Sequence, residues 1–178
     1  MAGLTGIRFV AAKRFRWALA AVAVLLAFAV TGYGFVSKAA KPADTFTTLS
    51  GQRIDLADLR GKIVLVNFWA TSCGVCMLEM PDLVAAYRQY RERGFEVIAV
   101  AMSYDDPELV REYVRKQGLS FPVVFDKEGK LAASFEQTRV TPTTFLIDKS
   151  GRRVSKTVGI INFAKLHDFL ETAATAGQ

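Results

Sequence analysis

The chain has 178 residues, 51% of them hydrophobic, and a formal net charge of +6 from 23 Lys+Arg against 17 Asp+Glu. Residues 1–40 hold five basic residues (Arg8, Lys13, Arg14, Arg16, Lys38) and no acidic ones, so the remainder is nearly neutral and offers no basic face for nucleic acid. Two cysteines and one histidine also exclude a zinc site within a single chain, because zinc takes about four ligands.

Arg8, Lys13, Arg14 and Arg16 precede an uncharged stretch from Trp17 to Val36. At about 1.5 Å per residue it would span about 30 Å, the thickness of a bilayer's hydrocarbon core. The basic cluster 1–16 should stay in the cytoplasm and send the rest across. Ser37-Lys38-Ala39 also has the small-x-small form of a signal-peptide cleavage site. The apolar run exceeds the usual h-region of about 7–15 residues, which favours an uncleaved anchor over a cleaved, soluble form. A linker at 37–43, with Pro42, leads to a domain at 44–178.

Within that domain, Phe46–Leu49 and Ile54–Leu56 read as a short hairpin turning at Ser50-Gly51. Leu56–Leu59 reads as a helical turn. Ile63–Trp69 is apolar nearly throughout, as in a central strand buried on both faces. A helix follows Cys73, carries Leu83, Tyr87 and Tyr90 at helical spacing, and stops near Gly94. Phe95–Ala101 is a second central strand. Pro107 opens a helix with Leu109, Val110, Tyr113 and Val114 on one face, up to Gly118. Pro122–Phe125 is a strand and Lys130–Phe135 a short helix. Thr143–Ile147 and Arg153–Val158 form a hairpin, and Phe163–Ala173 closes as a helix. This alternation implies an α/β fold: a mixed sheet with helices on both faces.

The only cysteines are Cys73 and Cys76, in Cys73-Gly74-Val75-Cys76 at the junction of strand and helix. Unpaired N–H groups and the helix dipole at that point favour a thiolate on Cys73, the form that attacks disulfides. Cys76, one turn inside the helix, can close the ring and release the partner. The pattern points to thiol–disulfide exchange.

Two stretches carry a resemblance. They are Asn67-Phe68-Trp69-Ala70-Thr71-Ser72-Cys73-Gly74-Val75-Cys76-Met77-Leu78-Glu79-Met80-Pro81 and Val140-Thr141-Pro142-Thr143-Thr144-Phe145-Leu146-Ile147-Asp148. With the element order, they resemble the thioredoxin fold, and more narrowly the membrane-anchored thioredoxin-like proteins of the TlpA/ResA/CcmG kind. The N-terminal hairpin and the inserted helix from Pro107 fit that group. The resemblance implies that Cys73 is the nucleophile and Cys76 the resolving thiol. It implies a cis bond before Pro142, which presents the backbone of Thr141 to an extended substrate, and makes Trp69 a wall of the site. Glu79, three residues after Cys76, is implied as a base that tunes the thiols and moves protons. Asn67 stands where cytoplasmic thioredoxins carry a buried aspartate, which makes Glu79 the better proton carrier. Pro81 is expected to kink or cap the first turns of the helix, and His167 to lie solvated on the terminal helix.

The resemblance further implies a reductant facing the periplasm, an oxidising compartment. Its substrate would be a disulfide in an exported protein, such as apocytochrome c or a copper-site assembly protein. A membrane thiol-electron transporter would recharge it, with no metal or organic cofactor. Ser72 and Val75 replace the tryptophan and proline that many relatives carry there, which leaves the redox potential open. Two rival readings are a thiol peroxidase, against which stand Ala70 and Val66 at positions where peroxiredoxins carry threonine and proline, and a Sco-like copper-site assembly protein, whose cysteines are spaced one residue further apart.

Overall fold

A computed structural model describes residues 45–175. The expected basic segment 1–16, membrane span 17–36 and linker 37–43 lie outside the described residues. Among the described residues, no helix is long and apolar enough to cross a membrane.

The central sheet has five strands in the order β5-β4-β3-β6-β7: β3 (Ile63–Trp69), β4 (Phe95–Ala101), β5 (Val123–Phe125), β6 (Thr143–Ile147) and β7 (Arg153–Val158). β3, β4 and β5 run parallel, β6 runs antiparallel to β3, and β7 antiparallel to β6. A separate hairpin, β1 (Thr45–Thr47) with β2 (Arg53–Asp55), hooks onto the β5 edge. There the Leu49 N–H donates to the Val123 carbonyl at 2.8 Å. The helices are α1 (Gly74–Tyr90), α2 (Pro107–Gln117), α3 (Lys130–Ser134) and α4 (Phe163–Thr175).

Every residue of β3 is buried, as a run apolar at every position but Asn67 demands. Its side chains alternate between two cores. Ile63, Leu65 and Trp69 join Cys76, Met80 and Leu83 of α1, Val110 of α2, and Leu166 and Leu170 of α4. Val64, Val66 and Phe68 join Phe46, Ile54 and the α3 residues Leu131 and Ala132. The β3–α1 turn therefore leaves the middle of the sheet from a layer packed on both sides.

α1 runs unbroken through Pro81, its eighth residue. Pro81 thus neither caps the helix nor ends it. It is exposed and removes only the N–H that would have bonded the Met77 carbonyl. The helix is closed by a 3-10 turn and Gly94, whose φ of +83° favours a residue without a Cβ. On α2 the inward stripe is Val110, Tyr113 and Val114. Leu109 was expected among them but is 52% exposed, because it lies about 100° around the helix from Val110.

The second core centres on Phe135. Its ring lies 5.4 Å from Phe68, 5.2 Å from Phe145 and 6.0 Å from Phe46, with the Arg153 guanidinium 4.1 Å over its face. Phe135→Ala empties the middle of that group and should lower stability by about 3–5 kcal/mol. Urea unfolding followed by circular dichroism measures it, and a loss below about 1 kcal/mol would show that the cluster closes over the gap.

Candidate active site

The carboxyl ends of β3 and β4 and the start of β6 meet at one edge of the sheet, with Trp69 beside Ala101 and Phe68 beside Thr143. Loops leaving such an edge are held by a rigid scaffold yet remain open to partners. The first is the β3–α1 turn. The Cys73 N–H donates to the Ala70 carbonyl at 3.1 Å, and Cys73 takes the N-cap position of α1 with extended backbone (φ −89°, ψ 98°). Its Sγ accepts the Cys76 N–H at 3.2 Å, the bond a capping oxygen would normally take. Cys73 and Cys76 form a disulfide, with Cα atoms 5.3 Å apart. Cys73 is half-buried, whereas Cys76 is fully enclosed. An outside sulfur can therefore reach Cys73 only.

The second loop is Val140–Pro142. The Thr141–Pro142 peptide bond is cis, as the resemblance implies. The Pro142 carbonyl accepts the Gly159 N–H at 2.8 Å, and the Val140 carbonyl accepts the Thr143 hydroxyl at 2.7 Å. Around this edge lie large apolar side chains left in solvent: Val75 (41% exposed), Leu78 (74%), Val140 (59%) and Ile160 (58%).

Behind the dithiol, one turn along α1, Glu79 is only 3% exposed. Its Oε1 accepts the Asn67 amide at 3.0 Å and its Oε2 accepts the Ile161 N–H at 3.1 Å. The same Asn67 Nδ2 donates to the Thr144 hydroxyl at 3.0 Å. Burial pushes the Glu79 carboxyl above its ordinary value, and the Ile161 and Asn67 donors hold back part of that rise. Asn67 thus occupies the buried position expected of it and serves as a neutral donor to the acid.

Two expectations change. Trp69 has no exposed surface and packs on Tyr113 at 5.3 Å, so it backs the core that holds Cys76 instead of offering a wall to substrate. His167 is not freely solvated: its Nδ1 lies 3.0 Å from the Tyr90 hydroxyl and the two rings pack at 5.4 Å. Among the described residues, no three His, Cys, Asp or Glu side chains are grouped so as to hold a metal ion. Reasoning from sequence missed Thr144, visible only once the register sets it opposite Asn67. It also missed Tyr104 and Asp105, whose partners Thr141 and Thr71 lie 37 and 34 residues away.

Comparison with known proteins agrees with this arrangement. The AhpC/TSA family model matches residues 37–154. The chain is 39% identical over 131 residues to the thiol-disulfide oxidoreductase ResA of Bacillus cereus, covering 73% of this chain and 74% of that one. It is 36% identical over 171 residues to ResA of Halalkalibacterium halodurans, covering 89% and 94%. Among solved structures, a thioredoxin-family thiol:disulfide interchange protein from Chlorobium tepidum superposes with a TM-score of 0.66 at 30% identity, covering 75% of this chain and 96% of the other.

The raised pKa of Glu79 has a readable sign. Below the ordinary value of 4.5 the carboxyl is protonated both folded and unfolded, and burial costs nothing extra. As pH rises from there through the folded value, the unfolded chain releases the proton first and stability falls. Glu79→Gln removes that dependence. It leaves one of the two donors unmet, a loss of about 1–3 kcal/mol at every pH. The variant's melting temperature should therefore gain on the wild type as pH rises from about 4 to about 8. A difference that stays flat would mean that Glu79 titrates normally.

Proposed function

The chain belongs to the AhpC/TSA family and is a thiol–disulfide oxidoreductase of the ResA kind, and from that premise we propose that it reduces disulfides of exported proteins on the periplasmic side of the inner membrane. The observation that carries the reading is the unequal exposure of two sulfurs at one helix terminus. Cys73 is open to a partner and Cys76 is sealed behind it.

In the reduced protein, the Cys73 thiolate would keep the Cys76 N–H that its sulfur accepts in the disulfide, a charge-assisted bond at the positive end of α1. It attacks one sulfur of the substrate disulfide. A mixed disulfide forms, the substrate S–S bond breaks, and the departing thiolate takes a proton from solvent. Glu79 then accepts the Cys76 proton, and the Cys76 thiolate attacks Cys73. The intramolecular disulfide forms, and the second substrate thiol leaves with the proton that Glu79 held. Two electrons and one proton have moved from the dithiol to the substrate, and solvent has supplied the second proton. The substrate lies as an extended segment along Val140, Thr141 and Pro142. Val75, Leu78, Val140 and Ile160 supply apolar contact around it.

The apolar stretch 17–36 with its basic flank supports an anchor that keeps this domain at the membrane surface. A membrane thiol-electron transporter would return electrons to the Cys73–Cys76 pair. Disulfide-bonded apocytochrome c before haem attachment, or a copper-site assembly protein, is the substrate class that fits such a setting.

Cys73→Ser should abolish insulin disulfide reduction. Cys76→Ser should keep the first step and accumulate mixed disulfides that dithiothreitol releases. Full activity in Cys73→Ser would overturn the mechanism. The direction of electron flow is read from the potential of the pair, by glutathione equilibration at neutral pH. A value near thioredoxin's, about −270 mV, supports a reductant; one near about −120 mV makes the protein a disulfide donor.

A further inference from the structure

The loop between β4 and α2 carries side chains that the exchange reaction, as described, does not use. The Met102 N–H donates to the Trp69 carbonyl at 3.0 Å, which places this loop against the cysteine turn. Asp105 then grips that turn with both oxygens. Its Oδ2 accepts the Thr71 N–H at 2.7 Å and its Oδ1 accepts the Thr71 hydroxyl at 2.6 Å. Oδ1 also accepts the Asp106 N–H at 3.0 Å. One residue earlier, the Tyr104 hydroxyl lies 3.1 Å from the Thr141 hydroxyl, on the other side of the site. The loop is itself anchored, because the Asp106 carboxylate caps α2 at the N–H groups of Glu108 and Leu109.

Thr71 stands two residues before Cys73, and Thr141 stands directly before Pro142. The geometry points to Tyr104 and Asp105 as positioning residues that set the spacing between the nucleophile's turn and the loop that holds the substrate backbone, and so confer preference for polypeptide disulfides over small ones. This rests on the reading that an extended substrate lies along Val140–Pro142. A thiolate must meet the disulfide in line with the bond it breaks, and an error of about 1 Å in a held substrate can cost about 100-fold in rate. A polypeptide bound to the Thr141 backbone cannot correct such an error. A small disulfide, held by nothing but Cys73, aligns itself. The strut should therefore matter only to the held substrate.

Tyr104 is 58% exposed, so Tyr104→Phe removes the hydroxyl bond and little else. Thr71→Val removes the hydroxyl that Asp105 holds, and Thr71→Ser keeps it. The test uses pre-reduced, full-length protein in single turnovers with insulin and with cystamine. Tyr104→Phe and Thr71→Val should slow the insulin reaction about ten-fold or more, leave the cystamine rate within about two-fold, and Thr71→Ser should restore the insulin rate. Equal losses on both disulfides, or none on insulin, would overturn the inference. Val140→Asp separates it from the reading beneath it. If Val140→Asp slows insulin while Tyr104→Phe and Thr71→Val do not, the substrate lies where described and the strut is wrong. If Val140→Asp leaves insulin unchanged, the substrate lies elsewhere and the inference falls with that reading.

Discussion

One buried carboxyl ties together the parts of the molecule that matter. Glu79 of α1 takes a hydrogen bond from Asn67 of β3 and another from the backbone of Ile161, just ahead of α4, and Asn67 reaches on to Thr144 of β6. The helix that carries the dithiol is thereby fastened to two strands and to the segment leading into the terminal helix. Such a group cannot be left unpaired: a buried acid without partners costs several times what a satisfied one does. The same constraint accounts for the amide at Asn67. An aspartate there would set a second carboxyl 3.0 Å from Glu79, and two such groups cannot both ionise. Asparagine supplies two donors and no charge. Of the three side chains Asn67, Glu79 and Thr144, only Glu79 can titrate.

That knot holds position because the sheet beneath it does not yield. β3 is packed on both faces, with the α1 and α4 core on one side and the Phe135 cluster on the other. The strand delivers Ala70 to Cys73 at a fixed height above the sheet edge. Loops from β4 and into β6 arrive at the same edge because their strands flank β3 directly. The groups that the proposed reaction turns toward substrate sit on those loops, and β3 beneath them is buried throughout.

Much of this was legible from residues alone, and for definable reasons. Ile63–Trp69 and Phe95–Ala101 are runs apolar at every position but Asn67 and Glu96 and rich in β-branched residues, and both emerge as strands with those bounds. The hairpin Thr143–Ile147 with Arg153–Val158 forms as read, and in the turn between them Gly151 has a φ of +83°. Local patterns of that kind need only neighbours in sequence. What escaped needed partners across the chain. His167 looks like any polar residue of an amphipathic helix until Tyr90, 77 positions earlier, comes to its ring nitrogen. Trp69 ends an apolar strand beside the cysteines, and nothing local tells whether its indole faces the groove or the core. Pro107 marks a helix start, and Asp106 just before it caps that helix. Asp105 is spent on Thr71, and no local rule assigns it there.

The two sulfurs are three residues apart on one helix, yet the fold treats them oppositely. Cys73 sits at the N-cap, where the Cys76 N–H donates to its sulfur and the dipole of α1 favours negative charge. Cys76 is enclosed, one turn ahead of a carboxyl that burial already disposes to hold a proton. In the proposed reaction the first sulfur acts as an anion and the second stays neutral until its proton has somewhere to go. Groups whose surroundings push their ionisation apart are the groups that divide a reaction between them. The proposed order of attack, Cys73 first and Cys76 second, rests on the position and exposure of each sulfur along the helix.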